Sequence, residues 1–422
     1  MTKQTKNYAL PIAMMFALFF MIAFVTGLPS PMGVIAAKQF GASNFESQLG
    51  FFANFIAYAF MGIPAGMMLK KIGYKKTALI AIVVGFIGVG TQFLSGRVEL
   101  FPVYLIGAFI SGFSMCMLNT VVNPMLNTLG KGGNRGNQLI QFGGSINSIA
   151  ATITPMLVGY LMGAEAGRTI EKANPALFLA MGIFALAFIV LSFVNIPEPY
   201  LEKTSKKQVK DAHSPFAFRH FILGIIGIFM YIGIEIGIPS TANLFMTKGL
   251  SIDATVAGTV VGTYWFLMLI GRLCGGALGS KFSSKAMLTF TSGLGIVLVL
   301  FAIFFSSAIT VSMPVFQSDL SFGLIKVPIN VMFIALCGLC TSIMWGGIFN
   351  LAVEGLGKYT AAASGFFMVM VCGGGIIPLV QGSVADSFGY LNSYWVMFAC
   401  LVYLLYYALI GCKNVNKNIP VD

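Results

Sequence analysis

One carboxylate lies inside a long apolar stretch, where a charge is expensive. Between Arg219 and Lys248 there are 28 residues (248 − 219 − 1), and Glu235 is the only charged residue among them. About 20 apolar residues cross the hydrocarbon of a membrane, and a carboxylate near the middle costs about 2.5–3.5 kcal/mol on insertion scales. Glu235 is therefore a candidate for binding a proton or a cation, or for accepting hydrogen bonds from substrate hydroxyls in a cavity. The alternative is a structural carboxylate hydrogen-bonded to a neighbouring helix.

Amide side chains form a second set of candidates. Asn119, Asn123 and Asn127 recur every four residues and so share one face of a helix. An amide both donates and accepts hydrogen bonds, so it can bridge adjacent sugar hydroxyls. For Asn123 and Asn127 we favour hydrogen bonding within the helix bundle. For Asn119, and for Gln141 and Asn147 in the next apolar stretch, both interpretations stay open, and we take these three as candidate sugar ligands.

The second half of the chain adds aromatic and amide candidates. Aromatic rings that flank a polar cavity can stack on the apolar face of a pyranose, although placement at the lipid interface is the ordinary alternative. The candidates from this half are Asn243, Tyr264, Trp265, Trp345, Asn350 and Gln381.

Motifs for catalysis or cofactor binding are missing from the sequence. The Cys337–Cys340 pair is one turn of an apolar helix without a further Cys or His pair, and the glycines at 373–375 lack the strand and the Lys of a phosphate loop. We therefore expect neither an enzyme nor a cofactor or metal. A proton or sodium ion is the coupling ion to consider.

Composition excludes a soluble protein. The chain has 422 residues, 57% hydrophobic and 9% charged, whereas soluble proteins have about 25% charged residues. The formal charge of +12 would suggest nucleic acid in a soluble protein, but here the basic residues lie between apolar runs, where they orient membrane helices. We expect membrane lipid and a small molecule as partners, no nucleic acid, and a monomer.

Twelve apolar runs are long enough to span a membrane. The runs are 8–38, 45–69, 76–96, 101–129, 136–163, 175–195, 216–247, 254–280, 285–306, 328–353, 359–385 and 389–412. Basic residues concentrate in every second connection between these runs, which predicts that both termini lie in the cytoplasm. We expect the protein in the cytoplasmic (inner) membrane, which it crosses several times. The polar stretch 196–215 predicts a cytoplasmic linker between bundles 1–195 and 216–422.

The two halves repeat each other. GLPS at 27–30 recurs as GIPS at 237–240, an offset of 210, and LGK at 129–131 recurs at 356–358, an offset of 227. The increment of 17 falls near an insertion at about 307–327, which is uncharged apart from Asp319 and Lys326. We predict an all-α membrane protein, with twelve transmembrane helices in two pseudo-symmetric six-helix bundles.

Several segments resemble the fucose–galactose–glucose:proton symporter family of the major facilitator superfamily. The segments are IPAGMMLKKIGYKK (63–76), NTVVNP (119–124), YIGIEIGIPS (231–240), GRLCGG (271–276), SIMWGGIFNLAVEGLGK (342–358) and GGGIIPLVQGSVAD (373–386). Within this resemblance the gating and loop candidates are Gly66, Lys71, Lys75, Arg272 and Lys281. Fucose permeases have acids at the positions of Ser30 and Asn119; we count Ser30 as a further sugar-binding candidate, and the departures leave the coupling ion open.

The resemblance implies sugar uptake by alternating access. We therefore expect a secondary active transporter that imports a hexose or small disaccharide and is cation-coupled through Glu235. The alternatives are a sugar uniporter without ion coupling and a proton-driven drug or lipid exporter on the same fold.

Overall fold

The computed structural model describes residues 8–28, 44–162, 171–198, 213–252, 254–317, 321–416 and 418–421. The helices in these ranges are α1 (Ala9–Gly27), α2 (Asn44–Val98), α3 (Phe101–Leu129), α4 (Gly133–Met162), α5 (Asn174–Phe193), α6 (Arg219–Leu244), α7 (Ala254–Leu278), α8 (Ser284–Phe304), α9 (Ile329–Thr341), α10 (Met344–Val353), α11 (Thr360–Val369), α12 (Gly373–Phe388) and α13 (Tyr390–Tyr406). The strands are β1 (Thr310–Phe316) and β2 (Phe322–Pro328).

Ten segments of the described residues are long and apolar enough to cross a membrane. One of them, Phe52–Val98, contains two helices that meet at Gly73, whose φ of 84° interrupts α2. The 30 residues of α4 are more polar and are not among the ten. Counting Phe52–Val98 as two helices and adding α4 gives the twelve predicted runs, so the predicted fold class is confirmed.

Helix ends follow the local residue chemistry. The Ser283 hydroxyl caps α8 by accepting a hydrogen bond from Ala286 N at 3.2 Å. Gly389, at φ 89°, ends α12 and turns the chain into α13, a conformation that favours glycine. Pro239 and Pro378 lie inside α6 and α12, where each deprives the carbonyl four residues earlier of its helical donor.

The chain divides into two compact units. The first contains the described residues of 1–132, 149–211 and 358–369, and the second those of 133–148, 212–357 and 370–422. Each unit therefore takes most of its helices from one half of the chain and one segment from the other. Most of the predicted linker, 199–212, lies outside the described residues, so the boundaries of the two bundles stay a prediction.

The two exchanged segments correspond to each other in the internal repeat. An offset of 227 carries 133–148 onto 360–375, which overlaps 358–369. In the first unit 358–369 packs on the first part of α2, with Gly365 against Gly62 and Gly66. In the second unit 133–148 packs on α7, with Phe142 against Gly276. The repeat found in the sequence thus predicts which helices pair.

The insertion near 307–327 forms an antiparallel hairpin, an element that the sequence did not predict. Its register runs from Thr310 opposite Pro328 to Phe316 opposite Phe322. The hairpin is fixed to α7: Phe316 N donates to the Thr263 hydroxyl at 3.0 Å, and the rings of Phe316 and Phe266 stack with centroids 4.5 Å apart. An insertion in the second half alone accounts for the change in repeat offset.

Candidate functional site

Glu235 lies one turn before a break in the hydrogen bonding of α6. Pro239 cannot donate to the carbonyl of Glu235, four residues earlier. That carbonyl instead faces the hydroxyl of Tyr264 on α7, at 3.4 Å, and the same hydroxyl lies 3.0 Å from the Thr341 hydroxyl. The two hydroxyls thus tie the broken turn of α6 to α7 and to the end of α9.

The Glu235 side chain forms an ion pair with Arg272 of α7. Arg272 Nη2 donates to Glu235 Oε1 at 3.1 Å, and the two side chains are 11% (Arg272) and 13% (Glu235) exposed. At such burial each charge needs the other, because removing one partner leaves an uncompensated charge at a cost of about 3–5 kcal/mol. The two residues are therefore one electrostatic unit.

The guanidinium of Arg272 has three further acceptors. Nη1 donates to Gly144 O at 3.1 Å and to the Ser148 hydroxyl at 2.7 Å, both on α4, and Nε donates to Ser342 O at 3.2 Å. Ser342 lies where the chain leaves α9 before α10 begins, and Gly144 has no side chain to keep the guanidinium from its backbone. Four oxygen atoms from three parts of the second unit thus surround one cation.

Tyr231 is the aromatic neighbour of this pair. It lies one turn before Glu235 on α6 and is fully buried, and its hydroxyl lies beside the side chains of Glu235 and Arg272 without a well-aligned hydrogen bond to either. Its ring centroid is 6.3 Å from that of Trp345 on α10. A well-aligned hydrogen bond from a bound water or ligand hydroxyl would stabilise this buried corner.

The amide candidates of the second unit differ in whether their side chains have hydrogen-bond partners within the protein. Gln141 donates to Ile343 O at 2.8 Å and Asn350 to the Ser284 hydroxyl at 2.8 Å, so both buried amides have structural partners. Gln381 of α12 is buried, and neither of its amide atoms has a partner in the described part of the chain. Its Oε1 lies against α6 at Gly237, where an added Cβ would be 2.7 Å away. Gln381 is thus the stronger candidate ligand of the three.

The remaining candidates are more dispersed. Trp265 stands edge-on to Tyr264 with centroids 5.4 Å apart, Asn147 is half-buried on α4, and Asn243 is exposed near the end of α6. In the first unit Asn119 donates to the Tyr58 hydroxyl at 3.0 Å and to the carbonyl of Met115, one turn earlier, at 3.1 Å. Two amides expected to bond within the bundle, Asn123 and Asn127, lie on the same helix, and Asn123 donates to Asn119 O at 2.9 Å. Ser30 lies outside the described residues.

The gating and loop candidates lie in different elements. Arg272 lies inside α7, where its guanidinium forms the ion pair with Glu235. The interruption of α2 lies between Lys71 and Lys75, whereas Lys281 lies in the turn after α7. Gly66 packs directly on Gly365, with 2.9 Å between an added Cβ and Gly365 Cα.

Glu198 is a residue near the α2 break that the sequence did not single out. Its Oε2 accepts from Tyr74 N at 2.6 Å and its Oε1 from Lys75 N at 2.9 Å. The carboxylate therefore caps the helix that starts after Gly73, where the positive end of the helix dipole favours an anion. The Lys75 ammonium also donates to Ser192 O at 2.7 Å, which joins the same break to the end of α5.

Arg272 could have been found from the repeat. At an offset of 210 it corresponds to Gly62, just as Glu235 corresponds to Val25. The same offset therefore shows that the acid and the arginine both lack a charged counterpart in the first half. The acceptors of Arg272 had no such signal, because Gly144 O and Ser342 O are backbone atoms placed by tertiary packing.

Comparison with known proteins gives consistent matches over most of the chain. The family model described as Major Facilitator Superfamily matches residues 14–379. A glucose/galactose transporter of Brucella abortus is 28% identical over 98% of this chain and 97% of its own length. The L-fucose-proton symporter of Escherichia coli is 23% identical over 92% and 89%. The crystal structure of the Escherichia coli fucose:proton symporter superposes with a TM-score of 0.80 at 19% identity, covering 97% of this chain and all of that one.

Proposed function

Because the chain belongs to the major facilitator superfamily, we propose that it is a secondary transporter that imports a hexose or small disaccharide by alternating access. The similarity to a glucose/galactose transporter and to an L-fucose-proton symporter along nearly the whole chain supports a sugar as substrate. The protein would lie in the cytoplasmic membrane as a monomer, with both termini in the cytoplasm.

The observation that carries the mechanism is the buried pair of Glu235 and Arg272 beside the Pro239 break. Intramembrane charges mark substrate and ion pathways, and interrupted helices carry the sites of many transporters. A proton on Glu235 would neutralise the carboxylate and release it from Arg272, while the guanidinium would keep its contacts with Gly144, Ser148 and Ser342. Glu235 would thus exist in two states that differ in one hydrogen-bonded link between α6 and α7.

Sugar recognition would use buried polar groups whose hydrogen bonding within the protein is incomplete. We assign this role first to Gln381, whose amide atoms have no partner among the described residues, and then to Tyr231, whose hydroxyl lies beside Glu235 and Arg272. Trp345, whose ring lies beside Tyr231, would stack on the apolar face of the pyranose. Asn119 and Trp265 are the further candidates.

One alternative has a specific observation in its favour. Arg272 already balances the charge of Glu235, so a carrier of this design needs no external ion for neutrality. Such a protein would be a uniporter, which equilibrates a sugar but does not accumulate it.

Uptake of labelled D-glucose, D-galactose and L-fucose into proteoliposomes tests the proposed substrate class. At least one sugar should enter faster than into protein-free liposomes and should show counterflow. Trp345→Leu should weaken the apparent affinity for that sugar about thirtyfold, since hot-spot aromatics contribute about 2 kcal/mol or more. Trp395→Leu is the matched control, because Trp395 is exposed and packs on Phe304 and Phe398. The absence of uptake and counterflow for all three sugars would refute the proposal for these substrates.

A further inference from the structure

We infer that the guanidinium of Arg272 fills a cation site and thereby excludes sodium from it, so that a proton is the one coupling ion left to Glu235. The inference rests on the proposed function for its meaning in transport, but the occupancy of the site can be tested without a sugar.

The ligand set around the guanidinium is one that cations use. It comprises the Glu235 carboxylate, the Ser148 hydroxyl and the carbonyls of Gly144 and Ser342, at donor–acceptor distances of 2.7–3.2 Å. Carboxylate, hydroxyl and carbonyl oxygens are the donors preferred by hard cations. A group of such oxygens, without Arg272, would be a site for a small cation.

The placement of these oxygens also resembles that of an ion site. Transporters hold sodium with backbone carbonyls freed where membrane helices are interrupted. Ser342 lies at the interruption between α9 and α10, and Glu235 lies one turn before the Pro239 break. One of the four oxygens, Ser342 O, is thus a backbone carbonyl at an interruption, and a second, Glu235 Oε1, belongs to a side chain one turn before another.

Arg272 is suited to hold this place permanently. A guanidinium carries a delocalised positive charge, and its fork of N–H donors binds several acceptors at once. Three of its nitrogens donate to the four oxygens. Because the cation is tethered to α7, sodium would have to displace a charged, multiply bonded side chain. A proton needs no such space, since it binds to one carboxylate oxygen.

The internal repeat supports a compensating role. Glu235 and Arg272 correspond to Val25 and Gly62 at the common offset of 210, so both charges are present in one half and neither in the other. A base that accompanies the acid in this way keeps the site neutral. If Arg272 only fastened α4 to α7, its removal would weaken packing without creating any response to small cations.

The test removes the tethered cation and offers free ones. Arg272→Ala should acquire a site for guanidinium or sodium, so low-millimolar guanidinium chloride or sodium chloride should raise its Tm by about 2 °C over choline chloride at equal ionic strength. The wild type and Arg272→Lys should show no such difference, because their own cation occupies the site. The double variant Glu235→Gln/Arg272→Ala should also show none, since the carboxylate is gone.

Transport gives the second readout. Sugar uptake by the wild type should be equal in sodium and in choline, uptake by Arg272→Ala should fall about tenfold, and guanidinium should restore it severalfold. Stimulation of wild-type uptake by sodium would overturn the inference. So would an Arg272→Ala protein whose Tm in guanidinium chloride and in sodium chloride equals its Tm in choline chloride. If Arg272→Ala fails to fold, the comparison of wild-type uptake in sodium and choline still decides. Failure of every variant to take up sugar would count against the proposed function, while the Tm comparison would still test the cation site.

Discussion

Two helix pairs related by the internal repeat differ in the residues at their contact. In the first unit the start of α2 packs on α11 through Gly62, Gly66 and Gly365, so closely that backbone meets backbone. In the second unit α7 packs on the start of α4, and Arg272 takes the place that corresponds to Gly62. Small residues let membrane helices approach closely, whereas a buried guanidinium needs acceptors around it. The same architecture thus serves as plain packing in one pair and as a charged site in the other.

The largest effect should come from separating the two charges. Arg272→Met should lower the free energy of unfolding by about 3–5 kcal/mol, because Glu235 would remain buried without a partner. Adding Glu235→Gln to the same protein should recover most of this loss. Thermal unfolding of the two single variants and the double variant in detergent measures the coupling. If the loss of stability in the double variant equals the sum of the losses in the two single variants, the two charges act independently.

The glycine pair should respond to a single methyl group. Gly365→Ala should cost about 1–3 kcal/mol, since the added Cβ would meet Gly62 O at 2.5 Å and Gly66 Cα at 2.9 Å, both backbone atoms. Gly182→Ala on α5 is the control, because nothing lies within 4 Å of its added Cβ, and we expect a change within about 0.5 kcal/mol. If the two variants unfold at the same temperature, close packing of α2 on α11 is not what the glycine provides.

The Glu198 cap should contribute about 1–2 kcal/mol. Glu198→Gln keeps the size of the side chain but replaces the carboxylate that accepts hydrogen bonds from Tyr74 N and Lys75 N with a neutral amide. Both amides should then exchange their hydrogens faster, which hydrogen-exchange mass spectrometry of the peptide covering 73–76 measures. Glu99→Gln, at an exposed position, should leave that exchange unchanged. Unaltered exchange in Glu198→Gln would argue against the cap.

The smallest effect should come from the hairpin contact. Thr263→Val removes the acceptor for Phe316 N and should cost about 1 kcal/mol. Thr289→Val is the matched control, because its hydroxyl donates to Lys285 O in its own helix. Tm values of the two variants measure the difference. A loss no larger for Thr263→Val would mean that ring stacking between Phe266 and Phe316 suffices to hold the hairpin on α7.

Much of the fold could be predicted from hydropathy and the repeat. The backbone of a membrane helix must satisfy its own hydrogen bonds, so each long apolar run predicts a helix without tertiary information. The hairpin was harder to predict, because strands that lie outside the hydrocarbon need not form a long apolar run. The break between α9 and α10 was equally hidden, since 328–353 reads as one apolar run.

The site was predicted in part, for an identifiable reason. Glu235 was found because the cost of a buried acid depends on the sequence around it alone. Arg272 was assigned to the gate by its motif, although the offset that pairs it with Gly62 was already in the sequence. Gln141 and Asn350 show why amides are ambiguous, because amides suited to a sugar also suit Ile343 O and the Ser284 hydroxyl. Which of these partners an amide meets is decided by tertiary packing.

Sugar accumulation driven by a pH gradient tests the role of Glu235 most directly. Proteoliposomes with an inward proton gradient should accumulate the transported sugar above its external concentration when they contain the wild type. Those with Glu235→Gln should reach equal concentrations inside and outside while keeping counterflow, and Glu354→Gln, at an exposed acid, should behave as the wild type. Accumulation by Glu235→Gln with unchanged dependence on the gradient would contradict coupling through Glu235.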